Sequence, residues 1–148
     1  METTLQMHIV EISEPLRELY VTAYTLPSTS AYITEGMEKK LAVIFGSFRP
    51  RATEQDWALL ELATAGITRS FMVQPCTEEL TMERKLRSYL SSCYKLFDVP
   101  AARYEPLIEQ ILRIDFAPKA REIIAKTVRK VDEDYEAAMA GMDAPIKE

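Results

Sequence analysis

Apolar residues along this chain recur mostly at intervals of three and four, the spacing that puts them on one face of an α-helix. The first ten or so residues are the exception. Between residues 3 and 12, Leu5, Met7 and Ile9 alternate with polar positions, a pattern that suits an edge strand or arm as well as a helix. Ser13, followed by Glu14 and Pro15, marks a helix start, because Ser accepts from a first-turn N–H and Pro costs nothing where no hydrogen bond is due. Leu16, Leu19, Tyr20, Ala23 and Tyr24 form the apolar face that follows, and "LPSTS" breaks it. A second pattern runs from Tyr32 through Ile33, Met37, Leu41 and Ile44 to Phe45 and stops at Gly46.

Thr53 opens a third helix, with Glu54 and Asp56 where the helix dipole favours negative charge. Trp57, Leu60, Leu62 and Ala63 are its expected buried side, and Gly66 suits the left-handed position after a helix end. Ile67 to Val73 reads as a short helix or turn before Pro75. Thr77 is the expected cap of a long helix through Leu80, Leu86, Leu90, Cys93, Tyr94 and Phe97, which Asp98 and Pro100 end. Another spans about 103 to 114, with Pro106 in its first turn, and a last one runs from about Pro118 to Met142. The sum is an all-α fold of five to six helices in a single compact domain with a long C-terminal helix.

That last helix carries a heptad seam. Ile124, Val128, Val131, Tyr135, Ala138 and Met142 are spaced 4, 3, 4, 3, 4, which fits either a helix docked on its own core or a homodimer contact. Lys119, Lys126 and Lys130 form a basic stripe beside it.

Composition narrows the function classes. A chain of 148 residues with 47% hydrophobic and 28% charged residues can bury one substantial core and is neither disordered nor collagen-like. Its longest apolar run, Leu41 to Phe45, falls far short of the roughly 18 residues a membrane span requires. The N-terminus lacks a basic start and a long apolar stretch, so it does not read as a secretory signal, and a cytoplasmic location is expected. Cys76 and Cys93, if joined by one helix, stand roughly 25 Å apart and are expected as free thiols. With His8 as the single histidine there is no metal-ligand pattern, and no phosphate loop or nucleophile motif appears. Neither a cofactor nor enzymatic activity is expected.

The formal charge is −5, yet residues 49 to 95 hold seven Lys/Arg against six Asp/Glu, a local balance of +1 that leaves −6 elsewhere. Within that stretch "RPRATEQDWALLELATAGIT" resembles the first helix and turn of the LuxR-type helix-turn-helix domain. "KLRSYLSSCYKLFDVP" is similar to the family's recognition helix and its exit, through Leu86, Arg87, Tyr89-Leu90, Tyr94-Lys95 and Val99. The resemblance covers about residues 49 to 112. It implies a DNA-binding transcriptional regulator in which residues 1–48 pair or sense, 49–114 form a variant helix-turn-helix, and 115–148 provide the dimer helix. It would set Glu83, Arg84, Lys85, Arg87 and Ser88 against double-stranded DNA, with Thr68 and Arg69 near phosphate.

Two other readings compete. Arg84, Lys85 and Arg87 also look like a solvated helix face paired with Glu79 and Glu83, which leaves a non-enzymatic helical interaction module such as an adaptor, chaperone or inhibitor. A small-molecule sensor or helical enzyme would instead need a pocket lined by Tyr20, Tyr24, Tyr32 or Trp57 with a perturbed ionisable group inside.

Overall fold

The computed structural model describes residues 2–142; the side chains at 33, 34, 138 and 140–142 lie outside what it describes. It is all-helical, with eight helices and no strand among the described residues. They are α1 (Glu2–Ile12), α2 (Glu14–Thr25), α3 (Pro27–Thr34), α4 (Met37–Phe45), α5 (Glu54–Val73), α6 (Met82–Leu96), α7 (Ala101–Leu112) and α8 (Ala117–Met142).

The surplus over five or six helices has local causes. Residues 3–12 are helical rather than an extended arm, because Thr4, Met7 and Val10 turn inward together at helical spacing and are fully buried. The pattern ending at Gly46 is split in two: Gly36 takes a left-handed conformation (φ 71°) that separates α3 from α4 and is open to Gly at little cost.

Caps fix several boundaries. Ser13 Oγ accepts from the Leu16 N–H and starts α2, as its sequence position suggests. Thr53 and Asp56 form a reciprocal capping box: the Thr53 N–H donates to Asp56 Oδ2 at 2.7 Å, and the Asp56 N–H donates to Thr53 Oγ1 at 3.2 Å. Thr77 does not cap α6. Its hydroxyl accepts from the Leu80 N–H in a turn, and Thr81 caps α6 through the Arg84 N–H. At the far end of α6 the Val99 N–H reaches the Tyr94 carbonyl and the Asp98 N–H the Lys95 carbonyl, a Schellman arrangement. Asp98 occupies its left-handed position (φ 57°) and is held by Arg49 at 2.9 Å.

Helix α5 lies at the centre, packed on α1, α2, α4 and α6, while α7 covers α6 and α8 rests on α1. One buried cluster joins Met7, Val10 and Leu41 from the N-terminal third to Trp57, Leu86, Phe97 and Ile108. Phe97 is its pivot, stacked on Phe45 at 4.2 Å between ring centres and near Trp57 at 6.5 Å.

Pro106 is not in a first turn. Helix α7 begins at Ala101, so the proline sits in its second turn, where the Ala102 carbonyl loses its helical donor. The Pro106 side chain is exposed and contributes little packing. Replacing it with alanine is expected to raise stability by about 1–3 kcal/mol, measured as an increased midpoint in urea unfolding; an unchanged or lower midpoint would mean that the ring's rigidity outweighs the missing bond.

Candidate interaction surfaces

The expected cationic ridge on α6 is not formed as a ridge. Its inner face is set by Leu86, Tyr89 and Leu90, and the helical turn that buries them also carries Lys85 inward. Lys85 is 0% exposed. Its Nζ donates to Glu11 Oε2 at 3.1 Å and to the carbonyl of Gln74, the residue that ends α5. Glu11 Oε1 in turn accepts the Cys76 N–H at 2.8 Å and faces Arg17 at 3.7 Å. The expectation that Lys85 contacts DNA is corrected on this geometry, because a buried ammonium matched to a carboxylate and a helix-end carbonyl has no path to a phosphate.

The neighbouring residues are divided. Arg87 is matched to Glu109 at 2.7 Å and Glu83 at 3.4 Å, so its charge is answered by two acids. Arg84 is exposed and donates to the Glu79 carbonyl at 3.1 Å. Glu83 and Ser88 are exposed on the same helix, as is Arg69 on α5. Thr68 is buried, its Oγ1 3.2 Å from the Tyr89 hydroxyl, and does not reach a surface phosphate. The tight turn expected at Gly66 is absent too: α5 runs unbroken from 54 to 73, and its connection to α6 is the segment 74–81.

Helix α8 has 26 residues, about 39 Å of helix, against the 11 residues of the α1 it packs on. Ala120 and Phe116 are buried at its root, Ile124 is half-buried, and from 125 to 137 every side chain is exposed. Val128, Val131 and Tyr135 of the heptad seam therefore lie in solvent; the side chains of Ala138 and Met142 fall outside the described residues. The basic stripe is neutralised within the helix. Lys119 and Lys126 both hold Glu122, at 2.8 and 2.7 Å, and together pull its carboxyl down to about 2, while Lys130 meets Asp134 at 3.4 Å.

The less expected surface is the outer side of α5. Trp57, Leu60, Thr68 and Met72 face the core, but Leu62 is 66% exposed and Leu59 64%, and Ala58, Ala63 and Gly66 are exposed beside them. Leu62 and Ala63 thus belong to the opposite side from the one their spacing suggested. The helix is apolar nearly all round between 57 and 67, so periodicity alone could not say which side would be covered. Val43, on the adjoining α4, is 86% exposed.

Sequence reasoning missed Glu11 altogether, since its partners Cys76 and Lys85 lie 65 and 74 residues away and no local pattern links them. Leu59 was overlooked for the same lack of contrast that misplaced Leu62. Among the described residues no group of His, Cys, Asp or Glu is arranged to hold a metal ion, and both cysteines are free thiols. Among the described residues no helix is long and apolar enough to cross a membrane. Comparison of the chain with protein-family models, curated proteins and solved structures yields no match.

Burial raises the Glu11 carboxyl, but the Cys76 N–H and Lys85 outweigh it and leave it below the ordinary 4.5. A carboxyl lowered in the folded state contributes stability above its unfolded value, and that contribution is lost as pH falls through the folded one. Glu11→Gln is expected to cost about 2–4 kcal/mol at pH 7, because it leaves the Lys85 charge buried without its counter-charge. Lys85→Met should cost less than half as much, since Glu11 keeps water and the Cys76 N–H. Urea unfolding at pH 7 and again well below pH 4.5 checks both points: the gap between wild type and Glu11→Gln narrows in acid. A gap that is constant with pH, or a costlier Lys85→Met, contradicts the assignment.

Proposed function

We propose that this protein is a helical interaction module that pairs with a second copy of itself across the outer face of α5. The observation that carries the reading is the exposure of Leu59 and Leu62 on a helix that is otherwise central to the core. Isolated exposed leucines are ordinary on protein surfaces, but a continuous apolar strip on a rigid helix is a docking feature.

The strip suits its own copy run antiparallel. In the register that places residue 62 opposite 63, Leu62 meets Ala63 of the other copy and Leu59 meets Gly66, large against small at each layer. A side chain brought over Gly66 enters open space, since nothing of the monomer lies within 4 Å of the position its Cβ would take. The same register brings Asp56 to the level of Arg69 of the other copy. Such an isologous two-fold contact uses every residue twice.

A duplex-binding regulator is the less favoured reading, because the cations it requires are withdrawn at Lys85 and answered by acids at Arg87. Duplex DNA should leave the protein's sedimentation unchanged even at low salt, where phosphate contacts are strongest.

The test is the sedimentation equilibrium of the wild type against surface variants. The wild type is expected to be a dimer, and Leu62→Lys a monomer of unchanged helix content. Gly66→Gln provides a sharper check: it should stabilise the monomer, since Gly is a poor helix former, and still weaken the dimer. A dimer broken by Val131→Lys on α8 and left intact by Leu62→Lys would move the contact to the heptad seam. A monomeric wild type at high micromolar concentration removes the pairing altogether.

A further inference from the structure

A cavity of about 310 Å³ lies between α2, α4, α5 and α6, with the start of α1 at one side. That volume is at the lower end of the range occupied by small-molecule sites. Its walls are largely hydrocarbon and aromatic: Leu41 and Phe45 from α4, Leu90 and Phe97 from α6, Tyr24 from α2. Exposed Ile44 also contributes to its lining, on the solvent side.

The polar groups in this lining are hydroxyls, one thiol and one carboxyl. Glu61 is its charged residue, and no cation pairs with it among the described residues; the like charge of Glu38 acts on it. Burial and Glu38 both raise its carboxyl. Thr4 is 1% exposed, and its Oγ1 is buried with no hydrogen-bond partner. Cys93 stays a neutral thiol, pushed by burial up to about 11, and the Tyr89 hydroxyl is occupied by Thr68. The lining thus offers hydroxyls that donate or accept, aromatic faces and a carboxyl group, and no positive charge. Buried polar atoms normally have partners, so the orphaned Thr4 hydroxyl points to a missing polar group, and the half-buried Glu61 carboxyl with no cation beside it favours a positive one.

We propose that this cavity binds a small primary arylalkylammonium or alkylammonium ion, its ammonium against Glu61 and its hydrocarbon body between Phe45, Leu90 and Phe97. An ammonium on an apolar stem supplies the counter-charge the site lacks, while its body displaces water from the aromatic walls. A carboxylate or phosphate ligand would meet only repulsion from Glu61. The site is independent of pairing across α5, whose outer face it does not use.

Two isosteric probes separate charge from shape: 4-phenylbutylamine and the neutral 4-phenylbutan-1-ol. Trp57, the single tryptophan, lies near Phe97 and should report occupancy by fluorescence, with calorimetry as a second readout. The amine is expected to bind wild type about tenfold more tightly than the alcohol. Glu61→Gln should abolish that preference and leave the alcohol's affinity unchanged. Ala65→Leu, which fills the cavity from α5, should reduce binding of both. No saturable binding of the amine, equal affinity for the two probes, or a preference that survives Glu61→Gln would overturn the proposal. The wild-type comparison decides the matter even if a variant fails to fold.

Discussion

An ammonium group cut off from water must find anions or carbonyls, and Lys85 finds one of each in the two places that most need a cation. The carbonyl of Gln74 belongs to the C-terminal end of α5, where the helix dipole and the unpaired carbonyls favour positive charge. The carboxylate of Glu11 lies near the end of α1 and is fixed on its other oxygen by the Cys76 backbone. One side chain on α6 therefore ties together the end of the first helix, the end of the central helix and the irregular segment between α5 and α6. Losing Glu11 would strand the Lys85 charge, so the relative placement of α1, α5 and α6 is constrained more tightly than apolar packing alone would require.

This constraint explains why α6 is not a free, charged rod. Its first two turns look cationic in sequence, with Arg84, Lys85 and Arg87 within four residues. In the fold one of the three goes inward and another is bridged to acids on α6 and α7. What remains at that surface is a balanced mixture of charge. The apolar surface lies instead on α5, whose core-facing side is spent on Trp57, Leu60 and Met72 and whose other side is left with Leu59, Leu62 and small residues.

Much of the architecture was legible from short-range chemistry. Ser13, Thr53 and the stop at Asp98 and Pro100 mark helix boundaries through hydrogen bonds made within a few residues, and these do not depend on the rest of the fold. Where two local signals competed, reading failed. Gly66 looked like a helix end because Gly so often is one, yet α5 continues through it, held by contacts with four other helices. Thr77 and Thr81 are both good caps, and the turn that Thr77 makes with Leu80 leaves Thr81 to begin α6. Residues 3–12 alternate weakly, and they form a helix whose Met7 and Val10 are buried in the cluster.

The candidate sites were far less legible than the helices. Periodicity identifies an amphipathic helix by contrast, and α5 has almost none between 57 and 67, so its covered and bare sides are assigned by which neighbours arrive. Glu61 stands one helical turn from Trp57 with nothing to mark it, and its place at an apolar cavity follows from α2, α4 and α6 closing around it. The chain's own order of residues settled that it would be helical, where several helices start, and that no segment is apolar for the length of a membrane span, since each depends on bonding and spacing within a turn or two. Which lysine is buried, which leucines are bare and where an acid meets a cavity were decided only by the folded arrangement, because each depends on partners tens of residues distant.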